Sequence, residues 1–162
     1  FGKEVNEAEF LMLENGTAAA ITRVGDTAIA GVHLTYTLHK ALLRKRQILQ
    51  VLEALENQNR AIIMGDFNSL PWQTPRRLIE SYGYTSVFEK LKGFHPITSP
   101  IPEFHHMLSK WQRLAVGEGF AADDIYIKGD LKIIEVGTLK SESDHLGVWA
   151  TFKVPPQKKK TT

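Results

Sequence analysis

Four consecutive apolar residues, Ala61-Ile62-Ile63-Met64, limit the folds that are open to this chain. An apolar run without polar alternation is typical of a strand that is buried on both faces. The run is short and is followed directly by Gly65, which favours a strand over a helix. The sequence therefore predicts that this strand lies in the interior of a layered structure.

The segments on either side of this strand predict a sheet with helices packed on it. Thr17 to Arg23 and Thr27 to Leu34 flank the turn residues Gly25-Asp26, a pattern that predicts a β-hairpin. Leu38 to Asn59 repeats leucine at helical spacing and predicts a helix.

The rest of the chain predicts a second helix, an irregular segment and more strands. These are a helix over Thr74 to Tyr82, an irregular segment over Leu91 to Gly119, a hairpin of Asp123 to Lys128 with Leu131 to Leu139, and a strand over Leu146 to Val154. The order of elements predicts an α/β fold with a mixed sheet and packed helices.

Composition restricts the class of protein. The 162 residues are 43% apolar and 23% charged, and no run approaches the ~20 apolar residues needed to cross a bilayer. The absence of cysteine excludes disulfides, a thiol nucleophile and Cys-based metal sites. We expect a soluble protein whose residues 1–154 belong to one domain, with residues 155–162 as a basic, disordered tail. The formal charge of +2 excludes the strong positive field of a dedicated non-specific DNA-binding protein.

Gly65-Asp66-Phe67-Asn68 directly follows the predicted buried strand. Residues two apart on a strand point to one face, so Asp66 and Asn68 should project together while Phe67 turns into the core. The carboxylate can bind a cation or accept a proton, and the amide can donate to an oxyanion. A strand followed by a simple Asx turn is the alternative interpretation of these four residues.

Three further positions carry acids or imidazoles at strand ends. His33 ends an apolar strand, Asp123 begins another, and Ser143-Asp144-His145 precedes the final one. Each alone is compatible with a structural or solvated side chain. They indicate a functional site only in combination, through the order in which they occur along the chain with Asp66 and Asn68.

Taken together, the motifs resemble those of the endonuclease/exonuclease/phosphatase superfamily, which includes deoxyribonuclease I. They are Gly31-Val32-His33-Leu34, Gly65-Asp66-Phe67-Asn68-Ser69, Asp123-Asp124-Ile125-Tyr126-Ile127 and Ser143-Asp144-His145. The similarity extends from about Thr17 to Phe152. It implies a four-layer α/β sandwich, with two mixed β-sheets face to face and helices outside, of which this chain would be the C-terminal part.

The resemblance also implies a role for each site residue. Asp66 would orient or deprotonate the attacking water, and Asn68 would donate to the phosphoryl oxygens. His145 would contact the phosphate, with Asp123 accepting from its other ring nitrogen. His33 would protonate the leaving group or brace the phosphate.

The resemblance further implies a divalent cation, Mg²⁺ or Mn²⁺, held by Asp66, Asn68 and Asp144. Carboxylate and amide oxygens suit such a cation, which retains several waters. Its task would be charge neutralisation and activation of water or the leaving group.

Two features depart from the family pattern. Ala121-Ala122 stand where an Arg-Ile pair usually precedes the third-motif aspartate, so a register that uses Asp124 instead of Asp123 stays open. The family's N-terminal half, with its metal-binding glutamate, has no counterpart in the sequence. We therefore expect another polypeptide segment, either further residues, a second fragment or another copy, to cover the apolar sheet face that would otherwise be exposed.

The sequence thus predicts a divalent-metal-dependent phosphodiesterase that hydrolyses nucleic acid or a similar phosphodiester by in-line attack of water. The alternative is a non-catalytic member or fragment that binds nucleic acid or a protein partner.

Overall fold

A computed structural model describes residues 7–36, 40–99, 119–140 and 142–156. The elements in chain order are β1 (Glu9–Met12), β2 (Ala18–Val24), β3 (Thr27–His33), α1 (Ala41–Ala54), β4 (Ala61–Asp66), α2 (Thr74–Ser81), β5 (Thr85–Ser86), α3 (Val87–Lys92), β6 (Asp123–Lys128), β7 (Lys132–Lys140) and β8 (Leu146–Lys153). A 3₁₀ turn over Glu14–Gly16 joins β1 to β2.

Two sheets form from these strands. The larger has the order β1-β2-β3-β4-β6-β5, and the smaller contains β7 and β8. Among the strand pairs in the described part of the chain, only β3–β4 is parallel, because α1 returns the chain between these two strands. The apolar run at residues 61–64 lies in β4, between β3 and β6. Ala61, Ile62 and Ile63 are buried as predicted, whereas Met64 is exposed because its side of the sheet is not fully covered.

The two faces of the larger sheet pack against different layers. On one face, α1 and α2 contribute Ile48, Leu52 and Ile79 to a buried cluster. On the other face, Ile62 and Ile125 pack with residues of α3, β7 and β8. The described residues therefore form helix, sheet and sheet layers, which is an α/β sandwich with two sheets face to face.

One predicted pairing is wrong. Asp123 to Lys128 and Leu131 to Leu139 form strands, yet they do not pair as a hairpin. The turn at Gly129-Asp130 carries the chain from the larger sheet to the smaller one, where β7 pairs with β8. Asp130 is held there by Arg60, which precedes β4. Turn residues mark a change of direction and do not specify the partner strand.

The structure also contains elements that the sequence analysis did not assign. β1 is a short edge strand, and α3 begins at the Ser86 N-cap, whose hydroxyl accepts from the Glu89 amide at 3.3 Å. The helix expected over Leu38 to Asn59 is shorter, since α1 covers Ala41–Ala54. Residues 37–39 lie outside the described ranges, as do residues 100–118 of the predicted irregular segment and residues 157–162 of the predicted tail.

Part of the inner face of the larger sheet is exposed. On β1, Phe10 is 73% exposed and Met12 63%, and on β4 Met64 is 43% exposed. Phe10 and Met64 lie in one row of cross-strand partners through Ala20 and Gly31. A polypeptide that covers this face remains a prediction. None of the helices in the described ranges has the length and apolar character of a membrane-spanning segment.

Candidate active site

Strand register places three of the candidate side chains in one row. His33 is the partner of Asp66 in the parallel β3–β4 pair, and Asp66 is the partner of Asp123 in the antiparallel β4–β6 pair. Partners in register on neighbouring strands point to the same face of a sheet. This row lies at one end of the strands, on the sheet face that also carries Ile62 and Ile125. That face packs against the smaller sheet.

Gly65 allows β4 to approach β3 immediately before this row. Its φ is +130°, and a Cβ at this position would lie 2.0 Å from the Val32 carbonyl oxygen. Only glycine adopts this conformation at such a distance without displacing the neighbouring strand. Gly65 of the motif is therefore needed for the close approach of β4 to β3 beside the site.

Asp66 and Asn68 contact each other, but through an Asx turn rather than by strand alternation, because β4 ends at Asp66. Oδ1 of Asp66 accepts from the Asn68 backbone amide at 2.7 Å, and Oδ2 accepts from Asn68 Nδ2 at 3.0 Å. Nδ2 also donates to the Leu34 carbonyl at 2.9 Å. Asn68 holds a φ of 46°, a left-handed conformation that asparagine tolerates. Between them, Phe67 is fully buried in the core.

Both Nδ2 hydrogens of Asn68 are therefore used within the protein. The side-chain oxygen is the atom that a cation could share, whereas donation to a phosphoryl oxygen requires one of these two hydrogen bonds to open.

His145 enters the site from the loop before β8. Its Nδ1 lies 2.7 Å from Asp123 Oδ2, and its Nε2 lies 2.8 Å from Ser99 Oγ. The hydrogen bond to Asp123 raises the pKa of His145, and the charges of Asp66 and Asp144 act in the same direction, against burial. The imidazolium form is thus favoured.

Ser99 and Thr98 are site residues that sequence reasoning missed. Ser99 is buried against His145, and Thr98 Oγ1 accepts from the Asp123 amide at 2.9 Å. The Thr98 carbonyl accepts from the Leu146 amide at 2.8 Å, so this segment joins β6 to β8. They fall within the predicted irregular segment, where nothing in the spacing marked them.

The alternative register with Asp124 is not the one that reaches His145. Asp124 is adjacent to Asp123 on β6 and therefore points to the opposite face, where it is fully buried and bonded to Arg76 and Ser86.

His33 and Asp144 lie at the margin of the site. Nε2 of His33 is 3.5 Å from Asp66 Oδ2, and the His33 side chain is 75% exposed. Asp144 is exposed and accepts from Ser143 Oγ at 3.3 Å. Within the described part of the chain, Asp144 does not join the group of closely spaced ligand atoms described next.

Asp66, Asp123 and His145 form a group that could hold a metal ion. One ligand atom from each lies within 4.8 Å of the others, and all three residues are partly buried. The two carboxylates suit Mg²⁺ or Mn²⁺, whereas His145 offers a lone pair to a metal only as the neutral imidazole. Burial is the main cause that raises the pKa of Asp66, and the neighbouring Asp123 adds to it. A cation would offset both effects, so the residues present fit a divalent ion.

Comparison with solved structures gives the same fold. The human nocturnin catalytic domain with a bound sulfate anion is 17% identical, with a TM-score of 0.67 over 93% of this chain and 60% of that one. D. rerio TDP2 complexed with a single-strand DNA product is 15% identical, with a TM-score of 0.67 over 93% and 68%. The 3′ phosphatase NExo from Neisseria, bound to a product DNA hairpin, is 13% identical, with a TM-score of 0.68 over 94% and 72%.

The chain thus spans between 60% and 72% of these three structures. No curated protein sequence matches it significantly. The sequence profile described as the Endonuclease/Exonuclease/phosphatase family matches residues 9–145, which is most of the chain and includes every candidate site residue. The chain therefore belongs to the endonuclease/exonuclease/phosphatase family.

Proposed function

We propose that this chain carries the catalytic residues of a divalent-metal-dependent phosphodiesterase that hydrolyses its substrate by in-line attack of water. The observation that carries the proposal is the convergence of Asp66, Asp123 and His145 from three separate segments into one group. Membership of a family of phosphoesterases supports this chemistry. Catalysis would come mainly from positioning and electrostatic stabilisation.

Asp66 would act on the attacking water. Its carboxylate is mostly shielded from solvent and is fixed by the Asn68 amide, so it would orient the water and accept its proton. Asn68 fixes the orientation of this carboxylate by contacting both of its oxygens. We propose Asp66, Asn68 and Asp144 as cation ligands, and a bound Mg²⁺ or Mn²⁺ would neutralise charge on the phosphate and activate water or the leaving group.

His145 would hold the phosphate as an imidazolium. Asp123 fixes the ring through Nδ1, so that Nε2 is the nitrogen directed at a substrate. Nε2 now faces Ser99 Oγ, and a phosphate oxygen would take the place of that hydroxyl or share the proton with it. The raised pKa extends to higher pH the range over which the ring carries this charge.

His33 would serve the leaving group. It lies on the opposite side of Asp66 from Asp123 in the strand row, and its side chain is mostly exposed. An exposed imidazole can reach a substrate oxygen and protonate it as the phosphorus–oxygen bond breaks.

Nucleic acid is the substrate class that we favour. Two of the similar structures are described with product DNA, the TDP2 complex and the NExo complex. The chain is mildly basic, with a formal charge of +2, which is compatible with a polyanionic substrate. The choice between DNA, RNA and a smaller phosphodiester would depend on loops outside the row of site residues.

A second candidate is a non-catalytic binding protein. Two observations favour it: no glutamate among the described residues joins the group of Asp66, Asp123 and His145, and part of the sheet face beside it is exposed. In that case the chain would bind nucleic acid or a protein partner without turnover.

Hydrolysis of bis(4-nitrophenyl) phosphate with and without Mg²⁺ separates the two candidates. We expect Mg²⁺-dependent release of 4-nitrophenol that Asp66→Ala and His145→Ala each reduce at least ~100-fold. Glu9→Ala, on the exposed edge strand β1, is the control and should retain parental activity. Activity that survives both site variants would contradict the catalytic assignment, and DNA binding without hydrolysis would favour the second candidate.

A further inference from the structure

A buried arginine links the two segments that carry the site aspartates. Arg76 lies on α2 and is fully buried, outside the row of site residues. Its Nη2 donates to the carbonyls of Ala121 and Ala122, the latter at 2.8 Å. These carbonyls immediately precede Asp123, so the guanidinium holds the chain where β6 begins.

The same guanidinium also contacts the Asp66 segment. Its Cζ lies 5.2 Å from the centroid of the Phe67 ring, and Phe67 separates Asp66 from Asn68. The Phe67 amide in turn donates to the Ala122 carbonyl at 3.0 Å. Arg76 thus contacts both the residue 66–68 segment and the residue 121–123 segment, at the place where the two are hydrogen-bonded to each other.

The charge of Arg76 is balanced away from the site. Nη1 donates to Asp124 Oδ2 at 3.1 Å, and Asp124 is fully buried on the opposite face of β6 from Asp123. Asp124 also accepts from Ser86 Oγ at 3.0 Å, and His95 Nδ1 lies 2.9 Å away. A buried ion pair adds little net stability over a well-packed apolar pair, so stability alone does not explain this network.

We infer that Arg76 is a positioning residue, which stabilises the spacing that strand register gives to Asp66 and Asp123 by holding the Ala121 and Ala122 carbonyls against the Phe67 segment. This inference rests on the proposed function for its consequence in catalysis. Arg76 does not contact the row of site residues directly. Its planar fork satisfies two carbonyls and one carboxylate at once, a geometry that the single ammonium of lysine does not reproduce.

Arg76→Lys tests the inference, with Arg60→Lys as the matched control. Arg60 is also nearly buried, and it pairs with Asp26 and Asp130. It immediately precedes β4 and so lies roughly 20 Å along that strand from Asp66. Both substitutions keep the positive charge and replace a planar guanidinium with an ammonium, but only Arg76 lies beside the site.

The readouts are kcat and KM for bis(4-nitrophenyl) phosphate, the urea midpoint, and hydrogen exchange of the Phe67 and Ala28 amides. Ala28 reports on Arg60 because its amide donates to the Arg60 carbonyl. For Arg76→Lys we expect kcat to fall about 10- to 100-fold with KM changed less than about threefold, since small misplacements have effects of this size. Phe67 exchange should accelerate at least about tenfold in Arg76→Lys and stay unchanged in Arg60→Lys, with rates compared below the unfolding transition.

Parental kcat and parental Phe67 exchange in Arg76→Lys would overturn the inference. So would an equal loss of kcat in Arg60→Lys at the same folded fraction, because that would indicate general destabilisation. If Arg76→Lys does not fold, the same readouts are applied to the double variant Arg76→Gln/Asp124→Asn, which removes the buried cation and its carboxylate partner together. Faster Phe67 exchange and a lower kcat in this variant support the inference, and parental values of both overturn it. If the parent protein lacks activity, the proposed function fails, while Phe67 exchange still decides whether Arg76 fixes this connection.

Discussion

The Nδ1 atom of His145 lies 2.7 Å from Oδ2 of Asp123, although 22 residues separate them in the sequence. Asp123 begins a strand of the larger sheet, and His145 precedes a strand of the smaller one. This hydrogen bond therefore joins the two sheets at the site.

The carboxylate of Asp123 controls the protonation of His145. Asp123→Asn should lower the pKa of His145 toward its ordinary value of 6.5, because the main cause of the increase is removed. NMR titration of the His145 ring measures this directly. Ser99→Ala is the control: it should leave the pKa raised and cost about 1 kcal/mol of unfolding free energy for the lost hydrogen bond. Equal pKa values in the parent and Asp123→Asn would contradict this prediction.

The same bond makes stability depend on pH. Because the folded state raises the pKa of His145, its contribution to stability is complete below pH 6.5 and is lost as pH rises through the raised pKa. Urea unfolding at a series of pH values should show this loss in the parent and a smaller loss in Asp123→Asn. Stability that increases over this interval only in the parent would contradict the assignment.

Gly65 should be the least replaceable glycine of the larger sheet. Gly65→Ala places a methyl group against the Val32 carbonyl at a φ of +130° and should cost more than about 3 kcal/mol in urea unfolding. Gly31→Ala is the matched control on β3, where the nearest atom to a new Cβ is 3.9 Å away. It should cost less than about 1 kcal/mol. Similar costs for the two substitutions would show that the close approach at Gly65 is unimportant.

Divalent cations should stabilise the folded protein through the site. A ligand at 100 times its dissociation constant adds about 2.7 kcal/mol to the unfolding free energy, so Mg²⁺ or Mn²⁺ should raise the melting temperature and EDTA should reverse the increase. Asp66→Asn should abolish this response. Asp144→Asn should only weaken it, because Asp144 lies outside the group of closely spaced ligand atoms within the described residues. An undiminished response in Asp66→Asn would place the cation elsewhere.

A structural feature could be predicted from the sequence where it depends on neighbouring residues, and could not where it depends on residues far apart in the chain. The strand at residues 61–66 and the turn that brings Asp66 to Asn68 depend on adjacent residues. The apolar run was enough to predict the strand, whereas the contact follows from the Asx turn that stood as the alternative. The pairing of β7 with β8 depends on a choice of partner that turn residues at 129–130 do not encode. Ser99 and Arg76 were missed for the same reason, since their partners at His145 and Ala122 are more than 40 residues away.

Addition of Mn²⁺ to the isotopically labelled protein, followed by NMR, tests most directly whether the acids that converge beside His145 form one metal site. Bound Mn²⁺ broadens nearby resonances, so we predict that substoichiometric Mn²⁺ first broadens the amides of Asp66 and Asp123 and the ring of His145, while Asp66→Asn abolishes the effect. Broadening that begins elsewhere in the protein, or that is unchanged in Asp66→Asn, would contradict the account.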